Sequence, residues 1–320
     1  MNILITGYNG FIGSNLTVAL SEHHLIGVDL YAGNTVNKHI DWSNLNTINT
    51  VDCIIHLAGK AHDTKNSSTA DEYYEINVGL TKTIFGQFLK SSATKFIFFS
   101  SVKAVADSVV VDRLTEEVSS NPLTPYGRSK LEAEKFIINE FDKWKKEDLA
   151  KGKDAEMKKV YILRPCMIYG PGNKGNLNLL FKVQQKGLPW PLGAFDNKRS
   201  FCSIDNILFV IKRLIDGNIE DGIYQVADDE ALSTNELIRL IALSQNKNAK
   251  ILNIPVQSIK AIARIGDMLH LPLNSERLKK LTESYLVSNN KLKNALGIAK
   301  MPYTVLDCMN ETLESFKQLH

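Results

Sequence analysis

Tyr126 and Lys130 stand four residues apart in "LTPYGRSKLEAEKF", a run that begins at Leu123, and no other of the ten tyrosines has a lysine at that spacing. Pro125 suits a helix entry, where the first turn has spare N–H groups. Residues at i and i+4 of that helix share one face. A free phenol titrates near pH 10, too high for a base at neutral pH. A neighbouring ammonium favours the phenolate and lowers that value, which makes the pair a candidate proton acceptor. Upstream, "KFIFFSSVKAVAD" ends an apolar run on Ser100 and Ser101. A hydroxyl there can hydrogen-bond the phenol and a substrate oxygen together. Ser101 is the first choice for that role and Ser100 the near alternative.

A second constellation lies at the N-terminus, where "ITGYNGFIGSNL" sets Gly7, Gly10 and Gly13 between a strand and a helix. Glycines so placed permit a tight turn, close approach to a pyrophosphate and tight helix packing, and the helix N-terminus faces the phosphates. Phe11 and Ile12 fall in that first helical turn. An acid, Asp29, closes the next strand about 20 residues on, where it would accept from ribose hydroxyls and repel a 2′-phosphate. Leu30 and Tyr31 offer no cation beside it, so the expected cofactor is NAD. Its positive nicotinamide ring would further favour the Tyr126 phenolate.

These residues need a sheet to bring them together. "NILIT", "HLIGVDL", "VDCIIHLAG", "KFIFFSS" and "KVYILRP" read as strands, with helices from Phe11, Ala70 and Tyr126 between them. Continuous apolar runs separated by helices indicate a parallel sheet buried on both faces, hence a doubly wound α/β fold. Past Gly170, prolines, glycines and shorter elements indicate a smaller C-terminal lobe. The expected division is residues 1–170 for the dinucleotide and 171–320 mainly for substrate. A segment near 200–230, including "GIYQVAD" from Gly222, should return to the first layer.

Composition narrows the rest. The 320 residues are 44% hydrophobic with a formal net charge of +3, which makes no case for nucleic acid. No run reaches the apolar length a membrane span needs, and the N-terminus lacks a signal-peptide pattern. Cys53, Cys166, Cys202 and Cys308 lack metal or disulfide spacing and read as reduced, buried thiols. The expectation is a cytoplasmic protein with no metal, no nucleic acid and no membrane among its partners.

The TGxxGxxG glycines, the strand-end serine and YxxxK at a helix start together resemble the extended short-chain dehydrogenase/reductase family, with its Rossmann fold. Within it the chain is similar to nucleotide-sugar epimerases and dehydratases, including a bacterial branch that acts on surface-polysaccharide sugars. The resemblance implies Ser101, Tyr126 and Lys130 as the catalytic set. It implies that Leu57, Ala58 and Gly59 of "HLAG" pass the cofactor and that Asn77 supports the active-site backbone. In "LRPCMIYGPGN" and the residues after it, Asn173 and Asn176 become candidate sugar contacts. Arg199 of "NKRSFCSIDNI" would clamp a nucleotide diphosphate, with Arg277 as a second contact. The 4,6-dehydratases of the family carry an Asp-Glu pair after the catalytic Ser or Thr. Val102 and Lys103 stand here, so dehydration lacks its acid and base. The usual Tyr-Gly is replaced by Val105 and Ala106. The implied function is NAD-dependent C4 epimerisation of a UDP-sugar by a homodimer. A reductase of UDP-4-keto-6-deoxy sugars is the alternative, and a non-catalytic dinucleotide-binding protein a more distant one.

Overall fold

Every strand of the main sheet runs parallel to its neighbours. The computed structural model describes residues 1–47, 50–61, 69–150, 157–173, 175–269 and 274–318. Seven strands lie in the order β3-β2-β1-β4-β5-β6-β9, with β1 Asn2–Thr6, β2 His24–Val28, β3 Lys38–Ile40, β4 Cys53–His56, β5 Lys95–Phe99, β6 Lys159–Pro165 and β9 Gly222–Val226. The interior strands are buried almost throughout: Ile3, Leu4, Ile5, Ile54, Ile55, Phe96, Ile97 and Phe98 are fully shielded. Strands covered on both faces cannot alternate polar with apolar residues, which is why the sequence shows unbroken runs. The chain order reverses at β1, between β2 and β4, and such a switch point opens a crevice at the strands' carboxyl ends.

Helix α1 (Phe11–Ala19) follows β1, and α2 (Ala70–Tyr74) and α3 (Leu80–Lys90) follow β4. The long helix expected from Ala70 is therefore interrupted. One π-helical turn, Glu75–Gly79, joins α2 to α3 and contains Asn77. Helix α4 (Pro125–Ala150) lies against them. Two lysines, one half-buried and one buried, fasten helix ends. Lys95 Nζ donates to Leu214 O and Gly217 O, and Lys158 Nζ to Phe88 O and Ser91 O. Cationic donors there satisfy orphan carbonyls at the negative pole of each helix.

The C-terminal part adds a three-stranded sheet in the order β10-β8-β7, with β7 Met167–Tyr169, β8 Arg199–Ser203 and β10 Ala231–Leu232. Its helices are α5 (Asn176–Gln185), α6 (Ile204–Asp216), α7 (Thr234–Ser244), α8 (Val256–Leu269), α9 (Ser275–Thr282), α10 (Asn290–Leu296) and α11 (Val305–Gln318). β9 completes the large sheet beside β6, and α6 packs on α1. All four cysteines are free and buried, and burial pushes the Cys53 and Cys308 thiols up to about 12.

Candidate active site

The glycine loop is shaped by backbone contact. Gly7 has φ +71°, and a Cβ there would come within 2.8 Å of Ala58 N. A Cβ on Gly13 would lie 2.4 Å from Gly7 O and 2.5 Å from Tyr8 Cα, so α1 sits directly on the loop. Gly10 begins α1 with no side-chain cap, and the helix has no acid in its first turn. The N–H groups near Phe11 and Ile12 thus form an uncapped positive pole, a fitting seat for a pyrophosphate. Asp29, at the end of β2, accepts from Asn9 N at 3.0 Å and Leu30 N at 2.8 Å. Its carboxylate therefore braces the glycine loop on the side where a ribose would lie.

Across the crevice, Ser101 ends the segment after β5 and caps one 3₁₀ turn, accepting from Lys103 N at 3.2 Å. Its hydroxyl also hydrogen-bonds the Tyr126 phenol. Tyr126 opens α4, with the Tyr73 ring edge-on at 6.2 Å. Lys130, one turn later and buried, donates from Nζ to Phe99 O at 2.9 Å. Burial lowers its pKa to about 8, opposed by the charge of Glu134. The expectation that the lysine lowers the phenol's pKa needs correction: Tyr126 is pushed up, because burial outweighs the Ser101 hydrogen bond. A low dielectric disfavours the phenolate, so the lowering must come from charge that arrives with a ligand.

Ser100 faces the other way. Its hydroxyl donates to Glu134, which is held by Arg164 through Nε at 2.9 Å and Nη2 at 2.5 Å. Val102 is buried and Lys103 Nζ donates to Asp107 O at 2.8 Å, so the dehydratase acid pair has no substitute in that turn.

Beneath the crevice runs a directed chain of hydrogen bonds. Thr81 donates to Asn77 O at 2.6 Å, which leaves its oxygen to accept from His56 Nε2 at 3.0 Å. His56 Nδ1 then accepts from Thr6 Oγ1 at 2.6 Å, and Thr6 Oγ1 accepts from Ala58 N at 3.1 Å. The Asn77 side chain accepts from Lys60 N at 2.7 Å and donates to Lys60 O and Ser129 Oγ. Ser129 in turn donates to Tyr126 O at 2.9 Å. Leu57, Ala58 and Gly59 are pinned from below by this chain. An added Cβ on Gly59 would lie 2.8 Å from Asn77 Oδ1 and 3.1 Å from Lys130 Nζ. His56 is fully buried and its pKa falls to about 3, first from desolvation and then from the charge of Lys130.

In the C-terminal part, Arg199 opens β8, and among the described residues its Nε is buried without a hydrogen-bond partner. An orphaned guanidinium N–H is costly unless an anion meets it. Asn173 spends its amide on its own loop, donating to Ile168 O at 2.8 Å and accepting from Gly175 N at 2.6 Å. It braces that turn. Asn176 is the first residue of α5, and its side chain lies outside the described residues. Arg277 lies in the first turn of α9, exposed, its N–H capped by Asn274 at 2.9 Å.

The NAD dependent epimerase/dehydratase family model matches residues 3–227. The chain belongs to this family. A UDP-glucose 4-epimerase of Vibrio cholerae is 30% identical to this family member across 99% of this chain and 96% of its own. An N-acetyl-alpha-D-glucosaminyl-diphospho-ditrans,octacis-undecaprenol 4-epimerase of Escherichia coli O157:H7 is 24% identical over 98% of this chain and 94% of its own. Among solved structures, the UDP-glucuronic acid 4-epimerase of Bacillus cereus in complex with NAD superposes with a TM-score of 0.74 at 20% identity, covering 100% of both chains. That likeness shows the fold. The NAD-dependent chemistry agrees with the uncapped α1 and Asp29.

Sequence reasoning overlooked Tyr73, Thr81, Ser129, Glu134 and Arg164. Two i, i+4 stripes could have exposed most of them: Tyr73, Asn77 and Thr81 on one side, Tyr126, Lys130 and Glu134 on the other. Arg164 carries no such signal, being one polar residue inside an apolar strand.

Proposed function

We propose that this protein is a nucleotide-sugar 4-epimerase that uses NAD held by the glycine loop, the N–H groups of Phe11 and Ile12, Asp29, the Leu57–Gly59 loop and Lys130. Bound NAD would supply the hydride chemistry at C4. Tyr126 takes the proton of the C4 hydroxyl, and Ser101 holds that oxygen through its bond to the phenol. Lys130 contributes positive charge, because its pKa of about 8 keeps it mostly protonated at neutral pH. The cation of the oxidised ring would offset the burial that raises Tyr126. Arg199 anchors the diphosphate while the 4-keto sugar turns, with Arg277 as a second contact. The Asn173 loop and Asn176 flank the sugar.

What supports this reading most is the Ser101 hydroxyl bonded to the Tyr126 phenol at the start of α4, with Lys130 one turn further along the same helix. The Vibrio relative, similar over its whole length, supports UDP-hexose or UDP-N-acetylhexosamine as substrate. Residues 1–170 serve the cofactor and 171–320 mainly the sugar. Helices α2, α3 and α4 pair with their copies in a homodimer, and the reduced cysteines fit a cytoplasmic setting. The test uses UDP-glucose deuterated at C4, with no reductant added. Epimerisation with the label retained supports internal hydride return. Turnover only of a 4-keto sugar with added NADH would establish the reductase in its place.

A further inference from the structure

Three successive residues that lead into the crevice are each gripped from one side of α4. Phe99 O accepts from Lys130 Nζ at 2.9 Å, the Ser100 hydroxyl donates to Glu134, and the Ser101 hydroxyl is hydrogen-bonded to the Tyr126 phenol. Tyr126, Lys130 and Glu134 stand at i, i+4 and i+8, so one face of one helix makes all three contacts. The proposed chemistry uses Tyr126 and Lys130 and gives Glu134 no part.

Burying a carboxylate is unfavourable unless it is paired. Glu134 and Arg164 are 1% and 4% exposed, and the nearby positions Ala133, Ile137 and Ile162 belong to the apolar core. Apolar side chains of similar size often hold such a place as well as an ion pair does, so stability is a weak reason for the pair. What the pair adds is direction. Arg164 holds both carboxylate oxygens, and the oxygen that accepts from its Nε at 2.9 Å also accepts from Ser100 Oγ. A charge-assisted bond of that kind is strong and directional. The main chain fixes Ser100 as well, its N–H donating to Leu163 O at 2.8 Å. Ser101 follows in extended backbone, with φ −162° and ψ 152°. Successive side chains of an extended chain point to opposite sides. Holding the Ser100 hydroxyl on Glu134 therefore aims the Ser101 hydroxyl the other way, where it meets the phenol. We propose that Ser100, held by the Glu134–Arg164 pair, is a positioning residue that sets the Ser101 hydroxyl on Tyr126. The proposal rests on the reading of Tyr126 as the proton acceptor and Ser101 as its partner.

The consequence is electrostatic. Burial raises the pKa of Tyr126, and the Ser101 bond lowers it. The other titratable groups on that side are Tyr73 of α2, which raises it further, the Lys60–Glu72 ion pair beyond the Tyr73 ring, and Lys130 one turn along α4. Ser100→Ala alters none of those charges. It loosens Ser101, so the phenolate that takes the proton forms only at higher pH.

The test is the pH profile of kcat for C4 epimerisation of UDP-glucose by Ser100→Ala, Ser101→Ala and the double variant. Ser100→Ala removes one hydroxyl and no charge, so its thermal midpoint and NAD affinity should stay near wild type. Its kcat should fall about tenfold with KM unchanged, and the acid limb should move up by about one pH unit. The double variant should match Ser101→Ala, because a residue that acts only through another adds nothing once that other is gone. With NAD bound, ultraviolet titration of the phenol, read as the difference from Tyr126→Phe, should show the same rise without turnover. A packing role lowers kcat evenly across pH and adds to the Ser101→Ala loss. Either result overturns the proposal, as does a Ser100→Ala enzyme with wild-type kcat and limb. A Ser101→Ala enzyme that works like wild type refutes the role of Ser101 itself, and the tether falls with it. A wild type that turns over no UDP-glucose refutes the function proposed above, and the phenol titration then decides the tether alone.

Discussion

Replacing His56 by Gln should flatten the acid side of the stability curve. The imidazole is fully buried, and each nitrogen is engaged: Nδ1 accepts from Thr6 and Nε2 donates to Thr81. Protonation would put a second N–H against the Thr6 oxygen, which already accepts from Ala58 N, and would strand a charge near Lys130. The folded pKa accordingly falls from 6.5 to about 3. A pKa lowered by folding means that the unfolded chain binds the proton first. The contribution is complete above pH 6.5 and is lost as pH falls toward 3, at about 1.4 kcal/mol per unit. At pH 5 the loss from this one residue is about 2 kcal/mol. Urea unfolding of wild type and His56→Gln at pH 7.5 and at pH 5.0 measures it. Wild type should lose about 2 kcal/mol more than the variant between the two conditions. Equal losses would refute the buried neutral imidazole and the direction assigned to the chain from Thr6 to Asn77.

Arg164→Met leaves Glu134 buried without its bidentate partner and should destabilise the fold by about 3–5 kcal/mol, measured by denaturant midpoint. The double variant Glu134→Gln with Arg164→Met should recover part of that loss. Gly13→Ala drives a methyl group into the backbone of Gly7 and Tyr8. It should cost about 1–3 kcal/mol and weaken NAD binding in calorimetry, since the N-terminus of α1 must shift.

Much of the fold was legible because parallel strands covered on both faces must be unbroken apolar runs. β1, β4, β5 and β6 announce themselves in that way. The proposed trio was equally easy to pick out, since a strand-end serine and an i, i+4 pair are local patterns. The π-helical turn at Glu75–Gly79 was not, because its cause is tertiary: Asn77 must meet both the Lys60 backbone and Ser129. The protonation balance of Tyr126 was misjudged for a related reason. Sequence shows a lysine nearby but does not show how far the surrounding protein desolvates the phenol. The Asn173 amide likewise looked free for a sugar until the loop it closes was visible.

The most direct test of the central claim is steady-state C4 epimerisation of UDP-glucose by Tyr126→Phe, compared with wild type at saturating NAD. Removing the phenol proposed to take the C4 proton should cut kcat by about 10²–10⁴-fold, with NAD bound as tightly as before. A phenylalanine variant that turns over at the wild-type rate would contradict the account.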